Sequence, residues 1–330
     1  MKCTNKKIKV IALTVLVSAI CTGCANQKLA LPYEADSDVS AFRFETETTA
    51  NTDEEKADGF AHDLCVRDET TLTSDTVALT ESLSGILCDV NNNRVIYAKD
   101  ENLQLAPASL TKVMTALVAL KNSELDQVLT ASENVVINES GATLCGLEAG
   151  DTMTMDQALH ALLMQSANDA AVMIAENIGG SVEGFADMMN AEALRIGATN
   201  SHFVNPHGLT AEDHYVTAYD MYLIFKEAMK EDVFTQIIHL DSYETVYHNS
   251  LGENKSYSAS TTNLYLKGDY ASPEGITVIG GKTGTTNAAR NCLVLMTRDS
   301  SGNPYVSVIL NCSERQYLYQ EMTELLKTIP

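Results

Sequence analysis

Apolar and polar positions divide the chain into regimes. Up to about residue 76 the only sustained apolar run is Val10 to Ile20, and the stretch from Asn26 is dominated by Thr, Ser, Asp and Glu. From Leu79 the pattern changes. Gly85 to Val90 and Arg94 to Ala98 are β-branched runs on either side of Asn91-Asn92-Asn93, which predicts a β-hairpin. Apolar spacing then lengthens to the helical period over Ser109 to Leu120, Ala170 to Ile178, Val182 to Ile196 and Thr217 to Lys230. Thr154-Met155-Asp156-Gln157 is a capping box that opens a further helix. The last seventy residues return to strands, with Ile276 to Ile279 running into Lys282 to Thr286, then Cys292 to Arg298 and Tyr305 to Asn311, before an amphipathic segment from Glu314 to Thr328. Strands at both ends of a helical middle predict an α/β (α+β) domain. Its antiparallel sheet would pair segments from the two termini, with helices packed on it.

Charge adds an address. The chain of 330 residues carries 22 Lys+Arg against 44 Asp+Glu, a formal charge of −22, which excludes a nucleic-acid binder working by bulk charge. With 45% hydrophobic residues it can bury a core. Residues 1–33 hold five Lys and no acid, whereas residues 34–75 hold thirteen acids. Met1 to Lys9 followed by Val10 to Ile20, too short for a membrane span, reads as an export signal. Cys21-Thr22-Gly23-Cys24 resembles a bacterial lipobox, with Cys24 as the lipidated residue; conventional cleavage near Ala25 is the alternative, because Cys21 stands where an aliphatic residue is usual. The expected organisation is a lipoprotein signal over 1–24, an acidic disordered tether over 25–76, and a catalytic domain over 77–330.

Three short motifs follow one another: Ser109-Leu110-Thr111-Lys112, Ser166-Ala167-Asn168 and Lys282-Thr283-Gly284. The first two are common by chance and Lys-Thr-Gly is less so; their order, and the apolar strand that ends in Lys-Thr-Gly, make the set informative. Residues three apart share a helix face, so Lys112 can reach the Ser109 hydroxyl, and the start of a helix favours a developing negative charge. A Lys becomes a base only when desolvation or a second cation lowers its pKa. Lys112 is therefore expected to be depressed, with Lys282 as the charged neighbour. Lys282, Thr283 and Gly284 suit a carboxylate clamp in which the Gly lets substrate backbone approach.

From about Leu79 to the C-terminus these motifs resemble the serine D-Ala-D-Ala carboxypeptidases, the low-molecular-mass penicillin-binding proteins of the β-lactamase/transpeptidase-like fold. The resemblance implies that Ser109 is acylated by peptidoglycan stem peptides ending in D-Ala-D-Ala, that Lys112 is the base, and that Ser166 relays a proton to the leaving amine. It further implies that Asn168, Lys282, Thr283, Gly284 and Thr285 bind substrate, the N–H groups of Ser109 and Thr285 forming the oxyanion hole. No metal or cofactor is needed, β-lactams would inhibit, and the enzyme would face the cell wall from the membrane by its N-terminal lipid, acting in peptidoglycan biosynthesis and cell shape. Asn205-Pro206-His207-Gly208-Leu209 and Thr217-Ala218-Tyr219-Asp220 also look like family segments and are expected to be structural. Arg290 departs from the pattern, standing where relatives usually carry a Gly; it is either a contact to the substrate carboxylate or an exposed strand-edge Arg.

Other readings stay in view. A β-lactamase would need a Glu-x-x-Leu-Asn loop between the second and third motifs, and the sequence has none. A wall-binding lipoprotein without turnover could keep all three motifs. His202, His207 and His214 lie close in sequence but at no zinc spacing, and are expected to be loop residues. Outside the signal region five Cys remain, Cys65, Cys88, Cys145, Cys292 and Cys312. Cys292 and Cys312 are equidistant from Gly302 and could face one another as a disulfide, the alternative being buried thiols.

Overall fold

The computed structural model describes residues 64–330 apart from Ser74. The export signal, Cys24 and most of the tether lie outside them. β1 (Ser82–Asp89) and β2 (Arg94–Lys99) form the expected hairpin. Its turn is stitched by Asp89, whose carboxylate accepts from the Asn92 backbone at 3.1 Å and side chain at 2.7 Å. A 3₁₀ turn at Ala108–Leu110 leads into α1 (Thr111–Asn122), buried from Thr111 to Ala119, as befits a helix without a polar face.

Two short strands, β3 (Val128–Thr130) and β4 (Thr152–Thr154), precede α2 (Met155–His160), which starts on the predicted Thr154/Gln157 capping box. A π turn at Ala161–Gln165 separates it from α3 (Asn168–Gly179). α4 (Val182–Arg195), α5 (Ala218–Ala228) and α6 (Asp232–His239) complete the helical layer. Thr217 caps α5 by accepting from the Asp220 N–H at 3.0 Å. Then come β5 (Ser242–His248), β6 (Asn254–Ser260), β7 (Thr277–Thr286), β8 (Arg290–Arg298), β9 (Pro304–Cys312) and α7 (Arg315–Leu326).

The main sheet is antiparallel with strand order β2-β1-β9-β8-β7, so the chain's two ends meet as β1 pairs β9 from Ser82↔Cys312 to Asp89↔Tyr305. Both faces are covered. Ile86, Val294 and Val308 pack into the helical layer, while Leu87, Leu293 and Ile309 pack with Leu318, Met322 and Leu325 of α7. This is why β8 and β9 read as nearly unbroken apolar runs rather than alternating ones.

Three expectations change. The ordered region begins before residue 77. Cys65 is buried, Val66 N–H donates to Asn93 O at 3.0 Å, and Leu72 exchanges backbone bonds with Ile96 and Ala98 at 2.7 and 3.0 Å. The end of the expected tether therefore lies along the open edge of β2, whose unpaired backbone groups hold a segment too polar to order itself. A second sheet, order β3-β4-β5-β6, was not read from the sequence, since β5 and β6 are mostly Ser, Thr, Tyr and charged residues. The Cys292 to Cys312 disulfide does not form: a bulge after Asn291 sets Cys312 opposite Asn291, and the two thiols pack on opposite faces of the sheet. All five described Cys are free.

Candidate active site

The three motifs converge. Ser109 lies in the 3₁₀ turn and Lys112 in the first turn of α1, so that Lys112 Nζ lies 2.8 Å from Ser109 Oγ. The amine also donates to Asn168 Oδ1 and to the His207 carbonyl, each at 2.7 Å. A neutral amine has two N–H bonds and one lone pair. With its two N–H bonds given to Asn168 and His207, the lone pair is left for the Ser109 hydroxyl. Lys112 is wholly buried, and burial first, then the charge of Lys282, hold its pKa well below the ordinary Lys range; Asp169 opposes them. The expected depression is what the site provides.

Lys282 differs from expectation. It too is wholly buried, and desolvation lowers it to about 7, so it is not a permanently charged neighbour but one that titrates at neutrality. It donates to Ser166 Oγ and to Thr283 O, both at 2.9 Å. Ser166 follows the π turn with φ 69, a left-handed conformation uncommon for a residue with a side chain, and this places its hydroxyl beside Lys282. Asn168 is buried at the start of α3, its N–H held by Thr143 O at 2.8 Å.

Thr283, Gly284 and Thr285 run along β7, the free edge of the main sheet. Thr283 Oγ1 donates to Thr262 Oγ1 at 2.6 Å. At Gly284 a Cβ would stand 3.0 Å from Ser109 N and 3.1 Å from Pro107 O, so the missing side chain keeps the Ser109 N–H accessible. Ser109, Ser166, Thr283, Gly284 and Thr285 thus line one cleft, joined by Gln165, Thr262, Leu264, Lys267 and Arg315.

Several contributors escaped the sequence reading. The Asn205 to Leu209 loop, taken as structural, grips α1 at Lys112: Thr115 donates to Pro206 O at 2.6 Å and Lys112 to His207 O at 2.7 Å. Gly208 makes this possible, with φ +83 and no room for a Cβ, which would lie 1.9 Å from Ala108 O. His214 Nδ1 accepts from Val204 N at 3.1 Å and its Nε2 meets Thr111 Oγ1 at 2.9 Å; burial lowers His214 to about 4 and His207 to about 3. The histidines are occupied in the loop's own bonds.

Asp169, beside the motif Asn, was also missed. Its buried carboxylate accepts from the N–H groups of Cys145 at 3.0 Å, Gly146 at 2.9 Å and Leu147 at 3.1 Å. It thereby fixes the loop that brings Thr143 to the cleft. Arg290 is exposed at the β7–β8 turn with φ 51, which explains why that position suits a Gly. The Arg in the cleft is Arg315, at the start of α7.

This arrangement can acylate a serine: a hydroxyl beside an amine of lowered pKa, a backbone N–H at Ser109 that Gly284 leaves uncrowded, and a cationic, hydroxyl-lined edge for an anionic peptide terminus. Comparison with known proteins agrees with it. The chain is 33% identical over 252 residues to D-alanyl-D-alanine carboxypeptidase DacF of Bacillus subtilis, a match covering 74% of this chain and 61% of that one. It is 36% identical over 211 residues to DacB2 of Mycobacterium tuberculosis, covering 63% and 68% respectively. The matched stretch thus spans about six tenths of the Bacillus relative's length. Among solved structures, the Streptomyces K15 DD-transpeptidase superposes with a TM-score of 0.69 at 25% identity, covering 75% of this chain and 96% of that one. A family model described as D-alanyl-D-alanine carboxypeptidase matches residues 70–314, and the chain belongs to that family of peptidases.

Proposed function

We propose that the chain is a serine D-Ala-D-Ala carboxypeptidase that removes the terminal D-Ala from peptidoglycan stem peptides through an acyl-enzyme. The observation that carries this reading is the 2.8 Å separation of Lys112 Nζ and Ser109 Oγ inside a site that disfavours the ammonium form. As Ser109 Oγ attacks the carbonyl carbon of the penultimate D-Ala, its proton passes to the Lys112 lone pair. The oxyanion accepts from the Ser109 and Thr285 N–H groups. Collapse breaks the C–N bond, and the proton reaches the departing amine by way of Ser166, which Lys282 holds in place. Water then attacks the ester, releasing the shortened peptide and restoring the Ser109 hydroxyl.

Asn168 orients the acyl chain while holding Lys112, and Thr283, Thr285 and Arg315 receive the terminal carboxylate. A β-lactam presents a carbonyl and a carboxylate in a similar relation and would acylate the same hydroxyl. The test is direct: the wild-type protein should release D-Ala from a peptide ending in D-Ala-D-Ala and bind fluorescent penicillin covalently, and Ser109→Ala should lose both. Penicillin labelling that survives Ser109→Ala would overturn the assignment.

The work site in this reading is extracytoplasmic. The cationic start and apolar run support export, and Cys24 supports a lipid anchor that holds the domain near the membrane. Metabolic labelling with a radioactive fatty acid should mark the wild type and spare Cys24→Ala. Among the described residues no helix is long and apolar enough to cross a membrane.

A further inference from the structure

We infer that Cys65 and Cys88 are a disulfide site, closed by thiol–disulfide exchange with a small-molecule disulfide, and that closure locks residues 64–73 onto the catalytic domain. These residues are a strap laid along β2, and their hold is slight. Val66 forms a single bridge to Arg94 and Leu72 another to Tyr97, while residues 66–70 are exposed. Cys65 is the one buried residue among 64–73. It turns off the strand edge into the helical layer, where its carbonyl accepts from Tyr219 Oη of α5 at 2.8 Å. The pairing that follows brings it to Cys88: Val66 bridges Arg94, and the neighbouring Val95 stands opposite Cys88 in β1. Both Cys side chains are buried in the same apolar cluster.

The other cysteines are differently placed. Cys145 donates to Asp169 Oδ1 at 3.3 Å, Cys292 to Ala289 O at 3.4 Å and Cys312 to Glu314 O at 3.5 Å, so each has an oxygen acceptor. Cys65 and Cys88 hydrogen-bond to one another, with Tyr222 also beside Cys65. That bond holds the Cys65 thiol below its ordinary pKa, whereas burial raises Cys88 well above it, so Cys65 is the attacking group. Its thiolate attacks one sulfur of the small disulfide, expels a thiolate and forms a mixed disulfide. Cys88 then gives up its proton, attacks Cys65 Sγ and expels the second thiolate. The pair loses two electrons and two protons, and the oxidant is reduced to two thiols. Cys65 meets the oxidant when the strap lifts, which its exposed backbone and few apolar contacts make easy. The export proposed above would carry the pair to surroundings where disulfides persist.

The experiment incubates the folded full chain with oxidised glutathione, blocks the remaining thiols with iodoacetamide, and maps tryptic peptides without reduction. Cleavage after Lys56, Arg67 and Arg94 puts Cys65 and Cys88 in separate peptides, 57–67 and 68–94, so only a disulfide can join them. Before the oxidant both peptides should carry the blocking group. After it, the wild type should yield the two joined, lighter by two hydrogens than their sum. Cys88→Ser, which lacks the second thiol, should instead hold glutathione on Cys65. Hydrogen exchange at the Val66 amide, which anchors the strap to Asn93 O at 3.0 Å, should slow about tenfold on closure. The disulfide site is overturned if the wild type keeps both thiols, carries glutathione on Cys65 beside a free Cys88, or joins Cys65 to a different Cys. Unchanged exchange at Val66 in the cross-linked protein would overturn the locking of the strap.

Discussion

Gly284→Ala tests the geometry of acylation with the smallest possible change. The added methyl group would sit 3.0 Å from Ser109 N, 3.1 Å from Ala108 Cβ and 3.1 Å from Pro107 O, a few tenths of an ångström inside ordinary contact. Gly284 is not in the left-handed region, so the substitution brings no backbone strain. A shift of that size can be absorbed, and the melting temperature should change little. The reaction cannot absorb it. An oxyanion must come within about 2.7–3.1 Å of the Ser109 N–H, and the methyl crowds that approach; losing one such donor costs about 2.7–4 kcal/mol, or 10²–10³ in rate. The assay is the second-order rate of acylation by fluorescent penicillin, beside D-Ala release and a thermal melt. Acylation within threefold of wild type, with an unchanged melt, would refute the placement of the oxyanion hole at Ser109 and Thr285.

The other expectations concern charge and support. Because protonation removes the lone pair, acylation should rise with pH through the depressed pKa of Lys112 and level off well below the ordinary Lys range; Lys282→Gln, which removes a cation that lowers Lys112, should move that rise to higher pH. In the free enzyme, kcat/KM should fall again as Lys282 loses its charge at about 7, and the Lys282→Gln profile should lack that limb. Asp169→Asn replaces an acceptor of three loop N–H groups by an amide with a single acceptor oxygen; it should lower the melting temperature and move the acid limb to lower pH, since Asp169 raises Lys112. Met322→Ala, at a fully buried site beneath the sheet, should cost about 2–5 kcal/mol in denaturant unfolding while leaving penicillin binding intact. Unfolded without reductant, the protein should titrate Cys65, Cys88, Cys145, Cys292 and Cys312 as thiols; a protected Cys292 and Cys312 pair would contradict the bulge after Asn291.

What could be read from the sequence was whatever local pattern controls. The Thr154 capping box, the Thr217 cap and the apolar strands around Lys282 are set by neighbours in the chain, and the structure has them where the pattern put them. The pairing of Ser109 with Lys112 follows from helix pitch alone. The β5–β6 hairpin was invisible because its more buried side is built from Tyr, Thr, Lys and Ala while its exposed side includes Val246 among Ser, Glu, His and Asn, giving little apolar contrast. Asp169 and Arg315 were missed for another reason. Their roles arise from loops brought to them by tertiary packing, and an Asp in a first helical turn or an Arg opening a helix carries no local sign of it. The depth of Lys282 is likewise a property of the assembled sheet, which is why its lowered pKa was not foreseen.

The meeting of β1 and β9 bears on when the enzyme is born. Residues 82–89 find their central neighbour only after residues 304–312 exist, and the edge that carries Lys282 is joined to the rest through that same late strand. Such distant closure makes for slow assembly. A chain made from its N-terminus onward therefore cannot complete the edge that carries Lys282 until residues 304–312 are available to pair, however early its other elements form.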